Sequence, residues 1–477
     1  MRINMEPKEN QSRKPEEPIA IEDQEEAKRA AEREEINAQL IALGNPKGKA
    51  TKKNVISGIV LLVMMIIMVL SVMLSTSEIE EIAYTIGQIG QGNNYVWLIG
   101  GFAAAIAFFA IYPLSLLILS RSYDKRSSKS DAYLIGAGEH FFNGVTPFAA
   151  GGQPIQIYDF AKKGMNSGTA TGLVLTNFML YLIVLNIYEL LAFIYWPDIN
   201  QAMVSYCTDA ATGAFNGTMY WGFIGVAIMG YVFNLGFLAF IIALGCSKKL
   251  AAWLVNVAKW LCKWNLLGKI LGPKIPKFEN YCENVQSTIR GVFKHKKSVA
   301  LAFLIKAVVY GIYFSLPYFI INAVGLQLGP GKIFETMMVT SFASGAMCWM
   351  PTPGGTGGIE FAFAIAVGAV LPGVESLSSI GNTISLLWRL LTFYFVLLLS
   401  LVAVIVFESG FQIKLKKDVA KGEERKKELL HKLEQLEAES PQTEGKIPLE
   451  SSEVSNPEGN KETPQKEPKT DEEEKAE

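Results

Sequence analysis

The chain has 477 residues, half of them hydrophobic, with a formal net charge of -1. Of its 89 charged residues, 53 lie in residues 1–53 and 411–477, which leaves 36 for the 357 residues between, about one in ten where an ordinary globular domain has about one in four. That pattern argues against a soluble enzyme, and the lack of net basic charge argues against a nucleic-acid partner.

Residues 1–53 form a charged segment with no apolar core near its start, unlike a cleavable signal peptide. Within it, 22–43 reads as a short charged helix. A hydrocarbon core of about 30 Å takes about 20 apolar residues of helix. Six stretches meet that length: roughly 55–74, 96–119, 170–194, 220–244, 299–322 and 384–407. Two more, about 133–161 and 333–371, are interrupted by Pro and Gly.

Lys and Arg placement orients the chain. Lys47, Lys49, Lys52 and Lys53 precede the first span, and the 75–95 loop has no Lys or Arg. Arg121, Lys125, Arg126 and Lys129 precede the first broken segment, and Lys162 and Lys163 follow it. The 195–219 loop has no Lys or Arg, the 248–297 stretch has eleven, and the 323–332 connection has only Lys332. Both termini are therefore expected in the cytoplasm. The first broken segment should enter from the cytoplasm and return there, and the second should do the same from outside, because broken backbone at membrane depth is tolerated where it lines a cavity.

The expected fold is an all-α polytopic membrane protein: six spanning helices plus two re-entrant helical hairpins in an inverted repeat. Residues 54–410 form the membrane domain, with halves at about 55–195 and 220–408, each reading span, span, hairpin, span. Paired broken segments in inverted halves point to a transporter's midplane site. The first turn reads Pro147-Phe-Ala-Ala-Gly151-Gly152-Gln153-Pro154, and the second Pro351-Thr-Pro353-Gly354-Gly355-Thr-Gly357-Gly358. Proline ends the entering helix, glycine accepts the positive φ of a tight reversal, and the restarting helix turns unpaired N–H groups toward an anion such as phosphate. Simple kinks in two long membrane helices remain the alternative.

Ionisable residues inside spans cost about 2.5–3.5 kcal/mol each on insertion scales and are candidates by default. Glu139, His140 and Asn143 precede the first turn, and Asp159 lies on its exit. Glu360 follows the second turn, and Arg389 sits in the last span, able to pair with Glu360 or to hold a lipid phosphate through its planar fork. Glu189 and Glu408 carry no assigned role. Lys306 reads as a side chain that snorkels to the inner interface.

The 248–297 stretch interleaves Trp253, Trp260 and Trp264 with Lys248, Lys249, Lys259 and Lys263, as an amphipathic helix on anionic inner-leaflet lipid would. In the cytoplasmic tail, 411–477, residues 412–438 read as a helix and the Pro- and Glu-rich remainder as disordered. The five cysteines form no CxxC pair and the three histidines no cluster, so no metal or cofactor is expected.

The runs GEHFFNGVTPFAAGGQPIQIYDFAKKG (138–164), MPTPGGTGGIEFAF (350–363) and SLLWRLLTFYF (385–395) resemble the membrane module of the bacterial lysylphosphatidylglycerol synthase/flippase family, over about residues 55–410. The resemblance implies a multi-pass cell-membrane protein that binds and translocates a phospholipid, with aminoacylated phosphatidylglycerol as one candidate, and so affects cationic peptide resistance. Relatives with a second module add a soluble domain that transfers lysine from lysyl-tRNA. The 67 residues after 410 are too few for that module, so catalysis is not expected of this chain. Phosphatidylglycerol lysyl transfer and a non-transporting membrane scaffold remain the alternatives, and a homo-oligomer stays open. Many relatives carry a charged residue near the Gly-Gly pair and an Arg in the next span. Gln153 and Thr176-Asn177 stand there, which implies a different head group in the first half.

Overall fold

The computed structural model describes residues 28, 31–33, 35, 36, 39, 87, 89, 94–209, 212–263, 272–347, 349, 352, 358–371 and 384–438, without the side chains of 360, 361, 437 and 438. Among these residues the structure is helical, with one isolated bridge between Thr208 and Phe215 and no strand. Helices α1 (Tyr95–Ile111) and α2 (Leu114–Tyr123) form one span broken at Pro113. The first hairpin contains α3 (Lys129–Ala137), α4 (Glu139–Val145) and α5 (Gly152–Lys162). Next come α6 (Ser167–Ala192), a single 3-10 turn, α7 (Trp196–Tyr206), α8 (Gly217–Cys246), α9 (Lys248–Leu261) and α10 (Ile275–Lys294). Helix α11 (Lys296–Ala323) precedes the second pair, α12 (Lys332–Met347) and α13 (Gly358–Val370). Residues 384–389 are helical, Leu390–Tyr394 form a π turn, and α14 runs Phe395–Ala438.

Among the described residues, five stretches are long and apolar enough to cross a membrane: Tyr95–Tyr123, Ser167–Tyr206, Gly217–Cys246, Lys296–Ala323 and Ile384–Leu436. They contain five of the six expected spans; 55–74 lies outside the described residues. Helix α8 exposes Trp221, Ile228, Val232 and Phe233, an apolar surface suited to lipid. The 195–219 loop holds a helix that the sequence reading missed. Pro197 lies in its first turn, and Ile199, Ala202 and Met203 are buried at helical spacing. It packs on α13.

Polar caps punctuate the apolar helices. Asn166 accepts from the Gly168 and Thr169 amides at the start of α6, and Asn216 from Met219 at the start of α8. These contacts satisfy donors that would otherwise be left open. Helix α6 is the hub, touching α5, α8, α10, α11 and α12. Trp388 stacks on Phe363 of α13 at 4.2 Å.

Residues 48–417 form one compact unit. Residues 1–47 and 418–477 form another, in which Arg33 Nη2 donates to the Leu436 carbonyl at 2.5 Å and Ile36 and Leu429 are buried.

Candidate functional site

The first turn is built by side chains capping backbone. Thr146 Oγ1 donates to the Phe142 carbonyl and accepts from the Gly151 amide, both at 2.8 Å. Asn143 Oδ1 accepts from the Gly152 amide at 2.8 Å. Two of the amides that the sequence offered to an anion are therefore engaged within the hairpin, and Pro154, two residues further on, has none to give.

The glycines also act differently from expectation. Positive φ falls on Phe148 (58°) and Ala149 (48°), while Gly151 has φ -79°. What needs glycine is contact: a Cβ on Gly151 would lie 2.6 Å from Thr146 Cγ2, and one on Gly152 2.6 Å from both Asn143 Oδ1 and Glu139 Cγ. Pro147 and Phe148 form the exposed tip.

Behind the tip lies a buried polar cluster. Glu139 is 5% exposed and accepts from Gln153 Nε2 at 3.2 Å and Gln156 Nε2 at 2.9 Å. Tyr112, beside the Pro113 break, interacts with the Glu139 carboxylate and with Tyr310 of α11. His140 packs on the Tyr112 ring, centroids 4.2 Å apart.

Lys306 of α11 completes the cluster and corrects the sequence reading. It is fully buried, with Nζ 3.8 Å from the Tyr112 ring centroid, and it acts electrostatically on Glu139 and His140. Ten residues separate it from the start of α11 at Lys296, about 15 Å of rise, and its ammonium turns inward onto the Tyr112 ring where a snorkelling lysine would reach outward. Its ammonium has no hydrogen-bond partner among the described residues, nor has His140 Nε2.

Ser400 fixes the α3–α4 break against α14. Its hydroxyl donates to the Ala137 carbonyl at 2.6 Å and accepts from the Phe141 amide at 2.9 Å. A narrow cavity between hairpin and α14 is lined by Gly138, Glu139, Gln156, Asp159 and Phe407. Asp159 thus lines the same cavity as Glu139. Nearby, Lys162 pairs with Glu408 and Lys163 with Asp131.

For the second hairpin, Pro351, Pro353, Gly354, Gly355 and Gly357 lie outside the described residues. Gly358 opens α13 and is buried, and Glu360 lies in α13 with its side chain outside the description. Arg389 is 3% exposed, with its guanidinium 4.4 Å from the Phe393 ring centroid. Phe393 in turn touches Gly144 of the first hairpin.

Glu189, given no role from the sequence, is buried against the second hairpin. It accepts from Asn234 Nδ2 at 3.2 Å, and Asn234 Oδ1 accepts from Trp349 Nε1 at 2.7 Å. A Cβ on Gly345 of α12 would overlap the Glu189 carboxylate.

The structure therefore unites Glu139, Asn143, Gly151, Gly152 and Gln153, with His140 beside them, and adds Lys306, Tyr112, Tyr310 and Gln156. The available signal was Lys306 and Tyr310 standing one helical turn apart in an otherwise apolar run. No group of three His, Cys, Asp or Glu side chains suited to a metal occurs among the described residues.

A family model described as the lysylphosphatidylglycerol synthase TM region matches residues 55–400. An uncharacterized protein of Mycoplasma genitalium is 23% identical over 313 residues, covering 63% of this chain and 76% of that protein. No solved structure gives a significant match. The match to the family model takes in both hairpins and the Lys306-bearing helix, and the chain belongs to the lysylphosphatidylglycerol synthase transmembrane-region family.

Proposed function

We propose that this protein moves a phospholipid between leaflets, its head group passing the two hairpins while its acyl chains stay in lipid. In this reading the hairpins are re-entrant, dipping from opposite faces in two inverted halves, and both termini are cytoplasmic. The observation that carries the proposal is the Glu139 cluster, an acid and a lysine enclosed among apolar helices. Each costs about 2.5–3.5 kcal/mol at the centre of a spanning helix, a standing expense suited to handling a polar cargo. Arg389 and the second turn would hold the phosphate. The tryptophan-bearing α9 would rest on anionic inner-leaflet lipid, since Trp253 and Trp260 are exposed.

Vesicles holding the purified protein and a fluorescent phosphatidylglycerol test this by dithionite quenching of the outer leaflet. The wild type should expose inner-leaflet label within minutes, and Arg389→Ala should slow exchange at least tenfold. Rates equal to those of protein-free vesicles would reject the function. Equal rates for wild type and variant would reject the role of Arg389.

A further inference from the structure

We propose that lipid movement is coupled to protons at the buried cluster, with Glu139 as proton acceptor and Lys306 as receptor for one anionic head-group phosphate. The inference rests on the lipid-moving reading of the same site.

Three observations carry it. First, the cluster holds unused polar capacity. Lys306 is fully buried, yet its ammonium, with three donors, has no hydrogen-bond partner among the described residues. His140 Nε2 and Gln156 Oε1 also lack partners there. Buried polar groups rarely stand so, and three of them gather around one carboxylate.

Second, the charges balance as a pair. The groups acting on Glu139 are Tyr112 from the α1–α2 junction, Gln153 and Gln156 from α5, and Lys306 and Tyr310 from α11; around them, His140 of α4 feels Lys306, Tyr181 of α6 acts on Tyr112, and Tyr313 of α11 acts on Tyr310. Helix α14 offers Val404 and Phe407 to the adjoining cavity, and Asp159 of α5 also lines it. With Glu139 ionised, Lys306 is compensated. A proton on a Glu139 oxygen neutralises the carboxylate and leaves the ammonium buried and uncompensated. A phosphate diester restores neutrality, so proton and anionic lipid each favour binding of the other. No covalent bond to the lipid forms or breaks.

Third, space adjoins the acid. A small cavity is lined by both Glu139 and Asp159, and Asp159 feels the charges of Lys162, Lys163 and Glu408. Lys306 stands on α11 with its ammonium over the Tyr112 ring.

The test uses the full chain in vesicles containing fluorescent phosphatidylglycerol or fluorescent phosphatidylcholine, with imposed pH gradients of either sign. Acid outside should drive the anionic probe from outer to inner leaflet at least threefold faster than symmetrical pH. Acid inside should drive the reverse, nigericin should abolish both effects, and phosphatidylcholine should not respond. Glu139→Gln should lose the gradient response, and Lys306→Met should slow the anionic probe at least tenfold. If either single variant fails to fold, the double variant Glu139→Gln/Lys306→Met, which keeps the cluster neutral, should fold and be gradient-insensitive. Movement by the wild type that ignores the gradient, or a Glu139→Gln protein that responds as wild type does, would overturn the coupling alone. No movement by the wild type at any pH would overturn the lipid-moving reading and the coupling with it.

Discussion

Glycine in this protein is a matter of contact between backbone and acid. Gly152 lets α5 close onto Asn143 and Glu139, so Gly152→Ala should push the hairpin open. Overpacking of this kind costs about 1–3 kcal/mol, and thermal unfolding in detergent should show a lower Tm together with slower lipid exchange. Gly345 stands in the same relation to Glu189. Gly345→Ala should destabilise, and adding Glu189→Ala should recover part of the loss. A double variant no better than the single would deny that contact. The Gly-Gly pair was legible in the sequence, but its physical task was not, because Phe148 and Ala149 took the positive φ assigned to it. Lys306 was misread for a related reason. Its burial depends on Tyr112 and Glu139, more than 160 positions away in the chain, and hydropathy along one span carries no record of them.

At the scale of elements, the spans were legible because hydrocarbon thickness dictates their length, and five of the six lie within the apolar helices seen. Breaks were legible only where proline marked them. The α3–α4 break at Gly138 has no proline and is held by Ser400 from a distant helix. Ser400→Ala would leave the Ala137 carbonyl and Phe141 amide without that partner. The expected loss is about 1–3 kcal/mol, read as faster amide exchange at Phe141 and a lower Tm. The Leu390–Tyr394 π turn follows Arg389 directly, and such turns often accompany functional sites. Deleting Leu390 should restore regular α-helix and rotate Arg389 away from Phe393. Lipid exchange should fall at least tenfold while far-ultraviolet circular dichroism stays unchanged.

For the whole molecule, a span, a broken helical segment and a span follow one another twice among the described residues, at 95–192 and at 296–436. The cluster around Glu139 draws on both halves, since α11 supplies Lys306 and Tyr310. Glu189 of the first half likewise reaches the second hairpin. Each helical pair thus lies against an ionisable side chain from a distant helix, Lys306 of α11 or Glu189 of α6, a relation that sequence periodicity could not reveal. Side-specific thiol labelling in intact cells is the direct measurement of how the hairpins sit. In a cysteine-free background, single cysteines replace Arg126 and Gly164 at the ends of the first hairpin, and Gly329 and Glu375 around the second. Positions 126 and 164 should react only after the cytoplasmic face is opened, and 329 and 375 should react with an impermeant reagent from outside. Labelling of 126 and 164 from opposite faces would contradict the re-entrant reading.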